Sequence, residues 1–172
     1  KTGVKTINPA VIPQIGQKTV NCPADPGGRA WQATSYSPRT RMLYMPTVEF
    51  CSNTELNPLD PGQIYTGGGL ATFNRVVRPD SDGKVGQVRA IKLDDRTEAW
   101  MYRQYAPVTT STLPTGGGLV FAGTLDRKLL AFDDTTGAVL WTSPSFTNSI
   151  ESFPITYAVN GKQYIAVVTN WP

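Results

Sequence analysis

The chain has 172 residues, with 16 Lys and Arg against 13 Asp and Glu, so its net charge is +3 and its length suits one sizeable core. The basic residues are scattered without interleaved aromatics, which argues against a nucleic-acid partner, and no apolar run reaches membrane-spanning length. The sequence contains no His and no CxxC pair, so zinc and thioredoxin-like sites are excluded as well.

The first residues resemble a turn inside a repeated unit. Lys1-Thr2-Gly3 is similar to the turn at Thr136-Gly137, so we expect the chain to begin inside a repeated unit whose earlier strands come from a longer polypeptide or a second chain. Residues 4–21 are rich in Pro and polar side chains without a sustained period, which predicts a long connection.

Cys22 and Cys51 flank a predicted strand–turn–strand unit. They are the only two cysteines, and nothing around them resembles a metal or redox cluster. We favour a disulfide, which would close a loop of about 30 residues, contribute about 3–4 kcal/mol on the chain-entropy model and indicate an oxidising compartment. The alternative is a pair of unpaired buried thiols.

Residues 52–82 form a polar stretch rich in Gly, Pro and Asn. The stretch is too long for a simple turn, so it is either a surface excursion over one face or a lid-like loop. Gly67–Gly69 lacks the Lys-Ser/Thr that follows the glycines of a phosphate-binding loop.

The rest of the chain predicts short strands separated by turn residues, with no helix. The central meander is the clearest part, because its apolar runs are separated by Asp, Thr and Gly clusters. The predicted strands are Val85–Leu93, Glu98–Arg103, Leu119–Ala122, Leu129–Phe132, Ala138–Trp141, Pro154–Val159 and Gln163–Thr169, the last two joined by a type I′ turn at Asn160-Gly161.

One eleven-residue phrase recurs. Ala131 to Trp141 encloses Asp133, Thr136 and Gly137, and Ala90 stands at the same separation from Trp100, 41 residues earlier. A period near 40 residues with a meander in each unit indicates a β-propeller; an ordinary β-sandwich is the alternative. We therefore predict about ten to twelve strands, too few to close a ring alone, with Trp100 and Trp141 packed between adjacent blades.

Several stretches together resemble the quinoprotein alcohol dehydrogenases, which use pyrroloquinoline quinone (PQQ). The resemblance covers nearly the whole chain, in order, and corresponds to the C-terminal part of these proteins. It rests on Gly27–Gln32 with Tyr36-Ser37-Pro38, on Gly116–Gly123, on Ala131–Trp141 and on Phe153–Ala166. The fold it implies is all-β: residues 1–172 form about three to four four-stranded antiparallel blades of one eight-bladed propeller domain.

The resemblance implies hydride transfer from an alcohol carbon to PQQ, with a Ca²⁺ or lanthanide ion polarising the quinone. Sugars and polyols are further candidate substrates. The catalytic base and the metal ligands of this family lie in earlier blades, so we assign no catalytic residue and no metal ligand here, and expect the chain to be inactive without the remaining blades. The resemblance also implies a periplasmic location and a cytochrome c or quinone as electron acceptor.

The resemblance places part of the pocket wall in this chain. Arg29, Ala30 and Trp31 are the predicted cofactor-binding residues, although Ala30 stands where relatives often carry an Asn that hydrogen-bonds the quinone. The alternative for Trp31 is a structural blade tryptophan. Asn170 and Trp171 are the predicted substrate-pocket residues, and Thr109–Ser111 replaces a bulky pocket Trp of many relatives.

Two other function classes stay open. The chain would belong to a non-catalytic propeller that serves as a scaffold or binding protein, or it would be a secreted carbohydrate-binding β-domain. Activity with PQQ and metal separates the enzyme from the scaffold, and glycan binding by this chain alone identifies the third class.

Overall fold

A computed structural model describes residues 3–9, 12–24, 28–62, 64 and 71–170, and every regular element in these ranges is a strand. None of the described residues lies in a helix long and apolar enough to cross a bilayer. In chain order the strands are β1 (Lys18–Asn21), β2 (Ser35–Ser37), β3 (Met42–Val48), β4 (Phe50–Leu56), β5 (Ala71–Val77), β6 (Gly86–Lys92), β7 (Glu98–Gln104), β8 (Leu113–Pro114), β9 (Leu119–Gly123), β10 (Leu129–Asp133), β11 (Val139–Thr142), β12 (Ile155–Val159) and β13 (Lys162–Ala166).

These strands form four antiparallel sheets. Sheet 1 has the order β2-β3-β6-β7, sheet 2 has the order β8-β9-β10-β11, and sheet 3 is the hairpin β12-β13. The fourth, which we call the extension sheet, has the order β1-β4-β5. Two consecutive four-stranded meander sheets followed by a third hairpin are the partial propeller that the sequence predicts.

The outer hairpins of sheets 1 and 2 are built alike. In both, the pairing register shifts one residue after the alanine of the repeat, between Ala90 and Ile91 and between Ala131 and Phe132. The recurring phrase is therefore a repeated structure as well as a repeated sequence.

The turns of these hairpins are held by aspartates. Asp95 Oδ1 accepts hydrogen bonds from the Thr97 N–H and hydroxyl at 3.0 and 2.6 Å, and Asp133 Oδ1 accepts the Thr136 N–H at 2.8 Å. These bonds favour the ionised carboxylates, so the pKa of Asp95 and that of Asp133 both lie below the usual value.

A single apolar core fills the space between sheets 1 and 2. Alternate residues of the strands point into it, as the two-residue period of a strand requires. From sheet 1 come Met42, Tyr44, Val88, Ala90 and Trp100, and from the sheet 2 side come Val108, Val120, Ala122, Leu130 and Phe132.

Trp100 joins the two sheets, as predicted. Its indole Nε1 donates a hydrogen bond to the Asp134 carbonyl at 3.1 Å, and the ring stacks on Phe132 with centroids 6.1 Å apart. The ring also lies directly on Gly137, where an added Cβ would come within 2.5 Å of the indole. Gly137 is thus required both for its φ of 73° and for the seat it offers the indole.

Asp134 is the polar centre of this interface. Its carboxylate is fully buried and receives two hydrogen bonds from the Arg39 guanidinium, one of them from Nε to Oδ2 at 3.0 Å. Its carbonyl also accepts the Tyr44 hydroxyl at 3.0 Å. Burial is the main reason that the pKa of Tyr44 is raised.

The other face of sheet 2 packs towards sheet 3. Phe121, Leu129 and Ala131 form a second core cluster with Ile150, and Ile165 of β13 packs against it. Sheet 2 is therefore covered on both faces, which is the environment of a propeller blade. Asn160 and Gly161 both have positive φ, 50° and 76°, which confirms the predicted type I′ turn of sheet 3.

Trp141 differs from Trp100. Trp141 on β11 pairs with Ala131 on β10, as Trp100 on β7 pairs with Ala90 on β6, but the Trp141 side chain is 48% exposed. The prediction that both indoles are packed between blades is confirmed for Trp100 and is wrong for Trp141 within the described residues, because sheet 3 contributes only two strands there.

Two strands of the extension sheet lie in the chain between two strands of sheet 1. Strand β4 follows β3 after one residue, and β5 leads back towards β6, so residues 52–82 include paired strands inserted between the second and third strands of the blade. Residues 4–21 are not wholly a connection, since β1 pairs with β4. Backbone pairing outweighs the polar composition of this segment. Cys22 and Cys51 form the predicted disulfide, which ties the end of β1 to β4.

Candidate functional site

The predicted cofactor segment is a loop that ends just before sheet 1. The Gly28 carbonyl accepts a hydrogen bond from the Val48 N–H at 2.9 Å, which fixes the loop to the end of β3. Arg29 is exposed, whereas Ala30 is half-buried. The loop therefore presents a small apolar side chain at the position where a polar contact to a cofactor would be expected.

Trp31 connects this loop to the segment just before sheet 3. Its ring meets Phe153 edge-on with centroids 5.9 Å apart, and it is 54% exposed. Trp31 thus differs from Trp100, which lies in the core between two sheets. Its contact joins the segments that precede the first strands of sheets 1 and 3.

A cavity of about 200 Å³ lies beside this loop. Its walls include Ala30 and Gln32 from the loop, Arg75 from β5, and Thr109 and Leu125 from the sheet 2 region. The structure therefore brings Ala30 into one cavity with Thr109, the first residue of the segment predicted to replace a pocket tryptophan.

The Thr109 side of the cavity is tightly held. The Thr109 hydroxyl donates to the Ile150 carbonyl at 2.6 Å, and its N–H donates to the Gly123 carbonyl at 3.1 Å. Gly123 itself has no space for a side chain, since an added Cβ would lie 2.6 Å from the methyl of Thr110. The wall is rigid here because backbone and side-chain bonds fix it together.

The first strands of sheets 1 and 2 converge behind this wall. The Ser35 and Thr112 hydroxyls lie 2.6 Å apart, and the Thr112 hydroxyl donates to the Tyr44 carbonyl at 2.9 Å. Both hydroxyls have partners, so this contact between the two sheets helps to position the cavity wall.

Gln32 differs from these hydroxyls. Its side chain is only 9% exposed, and among the described residues it makes no side-chain hydrogen bond. Its amide keeps some accessible surface, since Arg103 Nε is the only fully buried side-chain polar atom without a partner in the described ranges. Because Gln32 lines the cavity, its carboxamide is positioned to bind a group placed there.

Asn170, the predicted substrate-pocket residue that the structure describes, is bonded next to this wall. The Asn170 N–H donates to the Ser149 carbonyl at 2.8 Å, next to the Ile150 carbonyl that Thr109 binds. Trp171 lies outside the described residues. The roles of Asn170 and Trp171 stay predictions.

No carboxylate lines the cavity within the described ranges. In the same ranges, no three Cys, Asp or Glu side chains converge in the manner of a metal site. The aspartates with lowered pKa, among them Asp95 and Asp133, belong to turns. The cavity can therefore bind and orient a ligand, but the described residues give it no proton acceptor of the carboxylate type.

Sequence reasoning missed Gln32, Arg75 and Asp134. Gln32 directly follows Trp31, so its proximity was available, but its burial was not. Arg75 lines the cavity because the chain inserts β4 and β5 between β3 and β6. Asp134 lies inside the recurring phrase, at a position that reads as an ordinary turn aspartate.

Comparison with known proteins places these features in context. Residues 81–165 match the PQQ family model described as the glucose/ethanol/alcohol dehydrogenase β-propeller domain. The chain is 34% identical over 163 residues to the 1-butanol dehydrogenase (cytochrome c) of Thauera butanivorans, covering 91% of this chain and 23% of that protein. It is 32% identical over 158 residues to the quinohemoprotein alcohol dehydrogenase of Comamonas testosteroni, covering 87% and 22%.

Solved structures agree with this comparison. A europium-containing methanol dehydrogenase superposes with a TM-score of 0.79 at 30% identity, over 93% of this chain and 28% of that chain. The chain thus spans less than a quarter of the length of the two curated relatives described above.

Proposed function

Since the chain belongs to the PQQ-dependent β-propeller family of alcohol dehydrogenases, we propose that it forms part of a quinoprotein dehydrogenase that oxidises alcohols, with sugars and polyols as further substrates. In this proposal the chain supplies blades and one wall of the cofactor pocket, and the remaining blades supply the rest. The observation that carries it is the similarity along nine-tenths of the chain to the 1-butanol dehydrogenase, together with the shared fold.

The cavity fits a PQQ-type group in its chemistry. PQQ is a flat quinone that bears carboxylates, and when bound it accepts hydride from an alcohol carbon. The cavity combines an exposed indole nearby, an unpartnered amide at Gln32 and the Arg75 guanidinium. These groups suit a planar anionic molecule, whereas Ala30 offers no side-chain hydrogen bond to it.

The residues of this chain would act on binding and orientation. Thr109 is held against Ile150, so it fixes the shape of the cavity and leaves its volume open. The edge-on contact between Trp31 and Phe153 would hold in place the loop that carries Ala30 and Gln32. We propose that the proton acceptor and the ligands of a Ca²⁺ or lanthanide ion come from the other blades.

The acceptor and the compartment are parts of the same proposal. The relative from Thauera butanivorans is a cytochrome c-linked dehydrogenase by name, which supports a cytochrome c, with a quinone as the alternative acceptor. The disulfide between Cys22 and Cys51 supports an oxidising compartment, and we propose the periplasm.

The test uses the complete polypeptide that carries these residues. After addition of PQQ with Ca²⁺ or a lanthanide, dye reduction is measured with a panel of alcohols, sugars and polyols, and the protein without PQQ is the control. We expect reduction that requires PQQ, metal and substrate together. A folded protein whose mass accounts for all the blades of a closed propeller, but which reduces no dye with any substrate, would favour the scaffold function instead. The intact mass of the native particle also establishes whether a second polypeptide supplies blades.

A further inference from the structure

Gln32 points to a ligand that accepts hydrogen bonds. Its side chain is 9% exposed, lines the cavity and has no hydrogen-bond partner among the described residues. The neighbouring hydroxyl of Thr109 is already committed, since it donates to the Ile150 carbonyl at 2.6 Å. The amide N–H groups of Gln32 are therefore the donors that a ligand in this cavity would meet on the loop side.

Arg75 supplies a positive charge to the cavity wall. It lies on β5 opposite Ser52 of β4, and within the described part of the chain it makes no ion pair. Arg78 and Arg89, by contrast, both pair with Glu49, at 3.0 and 3.4 Å. No Asp or Glu lines the cavity in the described ranges, so the charge of Arg75 is not balanced there.

The rest of the wall leaves these two groups with few competitors. Val48, Phe50, Pro107 and Leu125 are apolar, so their side chains offer an anion no hydrogen bond. A planar guanidinium and a carboxamide donor together match the two oxygens of a carboxylate.

We propose that Gln32 and Arg75 form a carboxylate-binding subsite of this cavity. The proposal rests on the proposed function, and the carboxylate has two possible sources. It belongs either to the PQQ-type cofactor or to an acid group on the alcohol substrate.

The experiment compares single substitutions in the complete polypeptide. Arg75→Gln removes the charge, Arg75→Lys retains it without the planar fork, and Gln32→Leu removes the amide at similar size. Arg96→Gln is the matched control, because Arg96 lies in the exposed β6–β7 turn, which is not part of the cavity wall. Circular dichroism checks folding, and the Arg75 variants carry the test if Gln32→Leu does not fold, since Arg75 is an exposed strand residue.

The first measurement is the affinity for PQQ. It is determined from the quenching of tryptophan fluorescence at two salt concentrations. If the cofactor provides the carboxylate, Arg75→Gln and Gln32→Leu each raise the Kd about tenfold or more, Arg75→Lys less, and Arg96→Gln leaves it unchanged. The dependence of Kd on salt also becomes weaker in Arg75→Gln.

The second measurement is binding of an ω-hydroxy acid and of the neutral primary alcohol of equal chain length, by calorimetry. If the substrate provides the carboxylate, the two substitutions weaken hydroxy-acid binding about tenfold and leave alcohol and PQQ binding unchanged. Equal behaviour of Arg75→Gln, Gln32→Leu and Arg96→Gln in both measurements overturns the subsite.

The two proposals fail separately. A wild-type protein that binds the hydroxy acid through Arg75 but never binds PQQ keeps the subsite and contradicts the quinoprotein function. A protein that binds PQQ with no effect of either substitution contradicts only the cofactor-carboxylate source, and the calorimetry then decides the subsite. A wild-type protein that binds neither ligand overturns both.

Discussion

Substitution of Gly137 by alanine tests how the two complete blades are joined. The φ of Gly137 is 73°, a region that costs an L-residue about 1–2 kcal/mol. The added Cβ would also lie 2.5 Å from the Trp100 ring, which is held by its hydrogen bond to Asp134 and is 8% exposed, so it cannot move freely. Overpacking of this kind costs a further 1–3 kcal/mol or so, giving a total of about 2–5 kcal/mol.

Gly161 provides a matched control for the backbone contribution. Its φ is 76°, but no atom lies within 4 Å of an added Cβ. Gly161→Ala should therefore cost only the backbone strain, and Gly137→Ala should exceed it by about 1–3 kcal/mol. Urea unfolding followed by tryptophan fluorescence measures both.

The clash can be assigned to the indole by a double substitution. In a Trp100→Ala background the ring is gone, so Gly137→Ala should then cost no more than Gly161→Ala. If Gly137→Ala and Gly161→Ala cost the same in the native background, the indole is not seated on Gly137 and our account of the interface is wrong.

Three further predictions concern the turns and the disulfide. Arg96 has a φ of 61° in an exposed turn, so Arg96→Gly should raise stability by about 0.5–1 kcal/mol in urea unfolding, whereas Arg96→Ala should not; an equal gain from Ala would contradict the strain argument. Replacing Cys22 and Cys51 by Ser should cost about 3–4 kcal/mol from loop-closure entropy, measured by thermal unfolding without reductant, and a loss below about 1 kcal/mol would refute this. The hydrogen bond from the Thr136 N–H lowers the pKa of Asp133 in the folded protein, so Asp133 contributes fully to the free energy of unfolding above the usual Asp range. This contribution is lost as the pH falls through the lower pKa of the folded state. The urea midpoint should therefore drop on acidification, and Asp133→Asn should make that drop smaller.

Local chemistry explains why the strands were predictable. The apolar runs of β9, β10 and β11 alternate with Asp, Thr and Gly turns, and these signals act within a few residues. The packing of Trp100 between two blades was predictable from the repeat, whereas its position on Gly137 of the next blade was not predicted.

Long-range pairing explains what was missed. Strand β1 looks like a connection because its partner β4 lies more than 30 residues away and supplies the order that its own composition lacks. The presence of Arg75 and Gln32 in the lining of one cavity also depends on the insertion of β4 and β5 in the chain between β3 and β6. The burial of Asp134 requires Arg39 from another sheet, which no short pattern encodes.

The carbonyl of Asp134 has a consequence for motion. This one oxygen accepts hydrogen bonds from the Trp100 indole N–H at 3.1 Å and from the Tyr44 hydroxyl at 3.0 Å. Two side chains of sheet 1 are therefore bonded to the same backbone atom after β10 of sheet 2. Sliding of one sheet past the other would break both bonds at once, and their loss would expose polar groups in an apolar interior. Sheets 1 and 2 should therefore open as one cooperative unit, with slow amide hydrogen exchange in both. Any opening that admits a ligand should occur instead in the 28–32 loop or in the extension sheet.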